Sequence, residues 1–148
     1  MKKETSSGGI VFRTNKNKCQ VLLVKHASTS YWGFPKGLVG DFDKNESLET
    51  AALREVKEEG GVKAKIIAPL SQPTRYQTSW RGETINKTVY YFVMKYISGN
   101  SQNHDQEISE AGWFSIPKAL KTLTYANDQH LLKQAVLLLG IEPRTPKL

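Results

Sequence analysis

Residues 32–62 read WGFPKGLVGDFDKNESLETAALREVKEEGGV, and this stretch decides the fold. Ser47 is a good N-cap, and Gly60-Gly61 is a good C-terminal stop, so the segment between them reads as a helix. Glu55, Glu58 and Glu59 stand at i, i+3 and i+4, a spacing that places them on one helical face. Like charges at that spacing repel. At roughly 100° per residue, Leu48, Ala51 and Ala52 begin the arc that these glutamates continue. The apolar start turns the arc toward the protein, so the carboxylates point into a groove. Three carboxylates with Arg54 beside them form a seat for hard divalent cations, which take oxygen ligands. The competing reading is a solvated acidic face, which is common on glutamate-rich helices.

The chain has 148 residues, enough for one domain, 1–148, with a proper core. Its net charge is +7 despite the acidic helix, so basic charge lies elsewhere and attracts polyanions. A single cysteine, Cys19, excludes an internal disulfide and sits in an apolar run as a core residue. The start, MKKETSSGG, lacks the apolar core of a signal peptide. No apolar run approaches the length of a membrane span. A cytoplasmic location and no membrane partner are the expectations.

Working outward, residues 6–13 and 19–25 read as two strands around a polar turn at 14–18. Residues 32–36 are extended because Pro35 removes an N–H and biases Phe34 away from helix. Gly37 to Asn45 reads as a loop. Residues 62–70 form a strand, 72–82 have no clear assignment, and 85–97 form the longest strand. A loop over 98–110, a short strand at 111–115, a short helix to about Leu123 and an amphipathic helix at 127–139 complete the order. Residues 143–148 read as a frayed tail. This mixture predicts an α/β (α+β) sandwich with a central mixed sheet between helices.

Glu46, Arg54, Glu55, Val56, Glu58, Glu59, Gly61 and Val62 match the fixed positions of the Nudix box, so the chain resembles the Nudix hydrolases. Gly40 satisfies the Gly-x5-Glu spacing. The Pro35-Lys36-Gly37 start typical of related sequences leaves a longer loop before Glu46. The segments SSGGIVFR, VLLVKH, WGFPKG and INKTVYYF, with Glu107 six residues before Trp113, resemble the asymmetric diadenosine tetraphosphate hydrolases.

That resemblance implies a Nudix-type α/β/α sandwich and hydrolysis of a nucleoside diphosphate linked to another moiety, with Mg²⁺ or Mn²⁺. It implies Glu55, Glu58, Glu59 and Glu107 as metal ligands, with Glu58 or Glu107 as the catalytic base. Arg54 orients the cluster, and Glu46 supports it. Lys36, Gly37 and Lys87 face phosphates, while Tyr76, or else Tyr90, stacks on adenine. Arg75 and Arg81 add charge near the phosphates or merely solvate a loop. His26 is assigned no role, and Trp32 and Trp113 are read as core.

The implied substrate is diadenosine tetraphosphate, split to ATP and AMP. Alternatives are longer dinucleoside polyphosphates, diphosphoinositol polyphosphates or 5′-triphosphate RNA ends. A non-catalytic nucleotide-binding module is a third reading, disfavoured because every box glutamate is present. No helix-turn-helix, zinc-finger or RNP-like motif predicts a stable nucleic-acid complex.

Overall fold

A computed structural model describes residues 2–40 and 43–140. The chain opens with β1 (Lys2–Asn15) and β2 (Lys18–His26), an antiparallel hairpin paired through Phe12↔Val21 to Asn15↔Lys18. Its turn is only two residues, Lys16 and Asn17, both at positive φ, the geometry that matches strand twist. The turn is shorter than the 14–18 segment read from polarity, because Thr14 and Asn15 continue the ladder.

Next come β3 (Trp32–Gly33), β4 (Lys36–Leu38) and α1 (Leu48–Gly60). Gly37 and Leu38 are strand rather than loop, since β4 pairs antiparallel with β1 through Ser7↔Gly37 and Ser6↔Leu38. The expected tail at 143–148 and residues Asp41 and Phe42 of the enlarged loop lie outside the described residues.

The second half contributes β5 (Val62–Pro69), β6 (Thr74–Trp80), β7 (Glu83–Gly99), β8 (Ile108–Ser115), α2 (Ile116–Thr122) and α3 (Ala126–Leu139). The unassigned 72–82 segment is thus an edge strand. It carries no hydrophobic alternation because most of it is exposed, and its strand character comes from the hairpin with β7.

All eight strands join one mixed sheet of order β3-β2-β1-β7-β5, with β8 on β2, β4 on β1 and β6 on β7. Its centre is the parallel pair β1–β7, in register from Lys2↔Ile85 to Phe12↔Lys95. β1 is flanked on its other side by β2 at one end and β4 at the other. The sheet therefore splits at that edge.

Alternate residues feed two cores, as the period of two requires. Val11, Leu22, Phe92 and Met94 meet Ala52 and Val56 of α1. Ile10, Phe12, Val21, Leu23, Tyr91 and Val93 meet α2 and α3 through Ile116, Leu131, Leu132 and Val136. This is the expected α/β/α sandwich. Cys19 is buried in the second core. Trp32 and Trp113 pack half-buried against opposite cores, each edge-on to an aromatic partner, Phe114 and Tyr96. Among the described residues no helix is long and apolar enough to cross a membrane.

Helix α1 has the expected ends. The Ser47 hydroxyl accepts from the Thr50 N–H, and Gly61 closes the helix at φ 73°. A Cβ on Gly61 would also collide with the Asn100 carbonyl. Gly61→Ala is therefore expected to lower unfolding free energy by at least about 1–2 kcal/mol, the left-handed cost alone. Urea denaturation measures this. A cost near zero would mean that the helix end is not held against the Asn100 segment.

Candidate active site

The buried arc of α1 carries Ala51, Ala52, Glu55, Val56 and Glu59, with Glu58 partly open at its rim. Arg54 gathers the carboxylates. Its Nε and one terminal nitrogen donate to both oxygens of Glu46, at 2.7 and 2.9 Å. Its other terminal nitrogen donates to Glu55 at 2.7 Å and to Glu58 at 3.2 Å. Arg54 also donates to the Leu38 carbonyl at 3.0 Å, and the Gly40 N–H donates to Glu46 at 3.0 Å. The enlarged loop is thus tied to the cluster at its start, and Gly40 serves Glu46. The Arg54 side chain holds the Glu46 carboxyl below its usual range, chiefly by hydrogen bonding. The same bonds push the guanidinium pKa still higher, so it stays charged.

Strand β4 closes the other side. The Glu55 carboxylate lies directly on Gly37, where any Cβ would overlap it. The Lys36 N–H donates to Glu59 at 3.1 Å. Glu59 is 2% exposed, and that burial is the main reason its pKa rises to about 8. The charges of Glu55 and Asp105 push in the same direction. His26 Nε2 stands 3.9 Å from Glu59, too far for a hydrogen bond, and has no partner among the described residues. Burial, with Lys36 nearby, lowers the His26 pKa to about 4, so the ring is neutral and the contact is not an ion pair.

Glu107 is exposed. Its backbone is fixed by the bond from Ala27 N–H to its carbonyl and by its own N–H donating to Asp105, but its side chain makes no hydrogen bond or ion pair among the described residues. The loop acid whose charge acts on Glu59 and His26 is Asp105, whose N–H donates to the Glu58 carbonyl at 2.8 Å. The sequence singles out Glu107 in this loop, and only the bond to the end of α1 distinguishes Asp105.

The anticipated phosphate and base contacts divide by face. Tyr76, Lys87 and Glu4 form one cross-strand row, and the Lys87 ammonium lies 3.5 Å from the Glu4 carboxylate. Lys87 alternates with Val89 and Tyr91, so this row lies on the α3 side. Lys36 shares that side, since Gly37 faces Glu55 on the other, and its charge acts on His26, Glu59 and Asp128. Tyr90 pairs with Ser7, whose hydroxyl donates to Leu48 of α1, so Tyr90 lies on the opposite face from Tyr76.

Residues that sequence reading missed are Tyr31, Tyr125 and Asp128. Tyr31 stacks on His26 at 4.3 Å and touches Tyr125 at 5.4 Å. Asp128 is raised to about 6 by burial. No sequence signal marks these residues, because two separate segments, the loop after β2 and the start of α3, bring them together.

The donor set fits a hard divalent cation in kind. It offers only carboxylate and backbone oxygens, and a single guanidinium faces Glu46, Glu55 and Glu58 while Glu59 lies buried behind them. Among the described residues no three such groups already surround one point at ligation distance. Arg54 occupies the space between Glu55 and Glu58, so ligation requires them to turn from it.

A family model, the NUDIX domain, matches residues 3–135. The chain is 29% identical over 138 residues to a Mycobacterium tuberculosis protein named as a mutator protein, MutT4, covering 89% of this chain and 54% of that one. It is 37% identical over 103 residues to an RNA pyrophosphohydrolase of Wolbachia sp. subsp. Brugia malayi, covering 60% and 62%. The chain thus spans about half to three-fifths of these relatives. Two structures of the C. elegans Ap4A hydrolase superpose at TM-scores of 0.75 and 0.68, with 24% and 25% identity. They cover 93% and 94% of this chain and 98% and 99% of theirs.

Two outcomes follow from this geometry. Because its pKa is raised from 4.5 to about 8, Glu59 favours the fold while protonated and loses that contribution as pH rises through 8. His26 acts oppositely, but only below its ordinary value of 6.5, and Asp128, raised to about 6, is mostly ionised by then. Between pH 6.5 and 8, without divalent cation, the wild type should therefore lose on the order of 1–2 kcal/mol of stability. Glu59→Gln should stay level; parallel thermal-unfolding curves for the two proteins would refute the assignment. Gly37→Ala should displace Glu55 and, on the reading proposed below, cut hydrolysis at least about tenfold, with a far smaller change in unfolding midpoint.

Proposed function

This chain belongs to the Nudix family, and on that premise we propose that it is a Mg²⁺- or Mn²⁺-dependent pyrophosphohydrolase that splits diadenosine tetraphosphate asymmetrically into ATP and AMP. The observation that carries the reading is the carboxylate cluster gathered by Arg54 and closed over by β4. A cluster serving only stability would mix its signs more evenly, because one arginine leaves the carboxylates undercompensated. The substrate choice is supported by the Tyr76–Lys87 row, an aromatic ring beside a cation. It is also supported by the 25% identity to the C. elegans Ap4A hydrolase across nearly the full length of both chains.

Glu55, Glu58 and Glu59 would hold the cations. When bound, these neutralise phosphate charge and lower the pKa of the attacking water. The rest is done by the chain itself. Arg54 fixes Glu46 by a two-point fork and sets the directions of Glu55 and Glu58. Lys36 and Lys87 take phosphate oxygens from the α3 side, where Tyr76 offers its face to adenine. Glu58, the most open of the three helical carboxylates, accepts the proton of the attacking water at its Oε atoms. Glu107 takes that role only if its loop carries the side chain inward.

Hydrolysis of 5′-triphosphate RNA ends is the second reading, favoured by the Wolbachia relative and the +7 charge.

A panel of diadenosine tetraphosphate, diadenosine pentaphosphate and a 5′-triphosphorylated RNA, compared by kcat/KM, tests the substrate. Diadenosine tetraphosphate should lead, and its ranking last would end the first reading. Glu58→Gln should lower kcat by about 10²–10⁴-fold with the thermal transition retained. Glu107→Gln should cost less than tenfold; a loss equal to that of Glu58→Gln would transfer the base to Glu107.

A further inference from the structure

A hollow of about 460 Å³ lies over the ends of β1, β6 and β7. Its wall is two complete cross-strand rows: Lys3–Asn86–Gln77 and Thr5–Thr88–Arg75. The row between them, Glu4–Lys87–Tyr76, points its side chains to the other face and contributes backbone. Lys3 and Thr5 alternate with Glu4 and lie on the same face as Ser7, which is tied to Leu48, the first residue of α1. The hollow is therefore the part of the α1-side sheet face left uncovered where the helix begins. It is distinct from the Tyr76–Lys87 row assigned to substrate.

The composition of this face is selective. It carries two cations, two carboxamides and two hydroxyls, with no carboxylate. The only acid among the lining residues, Glu4, faces away and is held between Lys2 at 3.7 Å and Lys87 at 3.5 Å. Lys3 and Arg75 have no acidic partner among the described residues. They stand on the two outer strands, diagonally across the hollow, with reach to close on one group above Thr88. An arginine fork and an ammonium around one point match a phosphate. Amides and hydroxyls arrayed beside it match a ligand rich in hydroxyl groups.

We propose that this hollow binds a sugar phosphate, with Arg75 and Lys3 on the phosphate and Gln77, Asn86, Thr5 and Thr88 on the sugar hydroxyls. The site is independent of the carboxylate cluster and does not rest on the substrate reading above.

Calorimetric titration in EDTA, which removes divalent cations, tests the proposal with ribose 5-phosphate, inorganic phosphate and ribose as probes. Ribose 5-phosphate should bind about tenfold tighter than phosphate, and ribose alone should not register. Arg75→Gln should weaken ribose 5-phosphate about 10–100-fold, the worth of a charged hydrogen-bonding group. Gln77→Ala should weaken ribose 5-phosphate while leaving phosphate unchanged. Lys87→Ala, on the other face, should leave both affinities in place. The proposal is overturned if the wild type binds neither anion, if the two anions bind equally, if Arg75→Gln matches the wild type, or if Lys87→Ala abolishes binding. Thermal unfolding of each variant confirms that the exposed substitutions leave the fold intact.

Discussion

One guanidinium holds the functional part of this molecule in order. Arg54 binds Glu46 by a fork, touches Glu55 and Glu58, and reaches back to the Leu38 carbonyl. Without it, four carboxylates would crowd one helix and the loop before it. Glu59, the most buried member, is out of its reach, and burial, with the charges of Glu55 and Asp105 added, raises its pKa. The fold answers by keeping Glu59 protonated near neutral pH and giving it one backbone donor, Lys36. A cluster left in this condition is receptive to added cations, which links its electrostatics to the proposed chemistry.

The sheet makes that arrangement possible. Because β1 pairs with β2 at one end and β4 at the other, the sheet parts beside β1. The end of α1 lies over the gap, and Gly37 lets the Glu55 carboxylate rest against the strand itself. The parallel β1–β7 pair then fixes what stands on each face. Tyr76 and Lys87 fall on one side, Arg75 and Lys3 on the other, although neighbours in sequence read alike. Charge is also segregated along the chain. From Gly60 to His104 the only acid is Glu83, which explains how a chain with such an acidic helix keeps a net charge of +7.

Much of this was legible in the residues alone. The helix, its caps and the carboxylate face follow from spacing, because one helix positions them all, whereas the roles of Arg54 and Glu46 were implied by the Nudix resemblance. The strands 6–13, 19–25 and 85–97 follow from β-branched and aromatic runs. β6 was not legible, since its stability comes from pairing rather than from its own pattern. Tyr76 was read as the stacking ring ahead of Tyr90, and register places the two on opposite faces of the sheet. Glu107 was singled out by its distance from Trp113, whereas the bond to the Glu58 carbonyl brings Asp105 to the cluster instead.

The sequence by itself determined the local constellation: a capped helix with three glutamates on its protein-facing arc and an arginine to gather them. Local periodicity and capping chemistry act within a few residues, so they can be read without the fold. Tertiary structure alone decided which distant groups share the site. His26, Tyr31, Asp105, Tyr125 and Asp128 converge because the strands and helices that carry them pack around one split sheet. It also decided that Arg75 and Lys3 stand on the sheet face opposite Tyr76 and Lys87. Register and burial are properties of the assembled sheet, and no single segment encodes them.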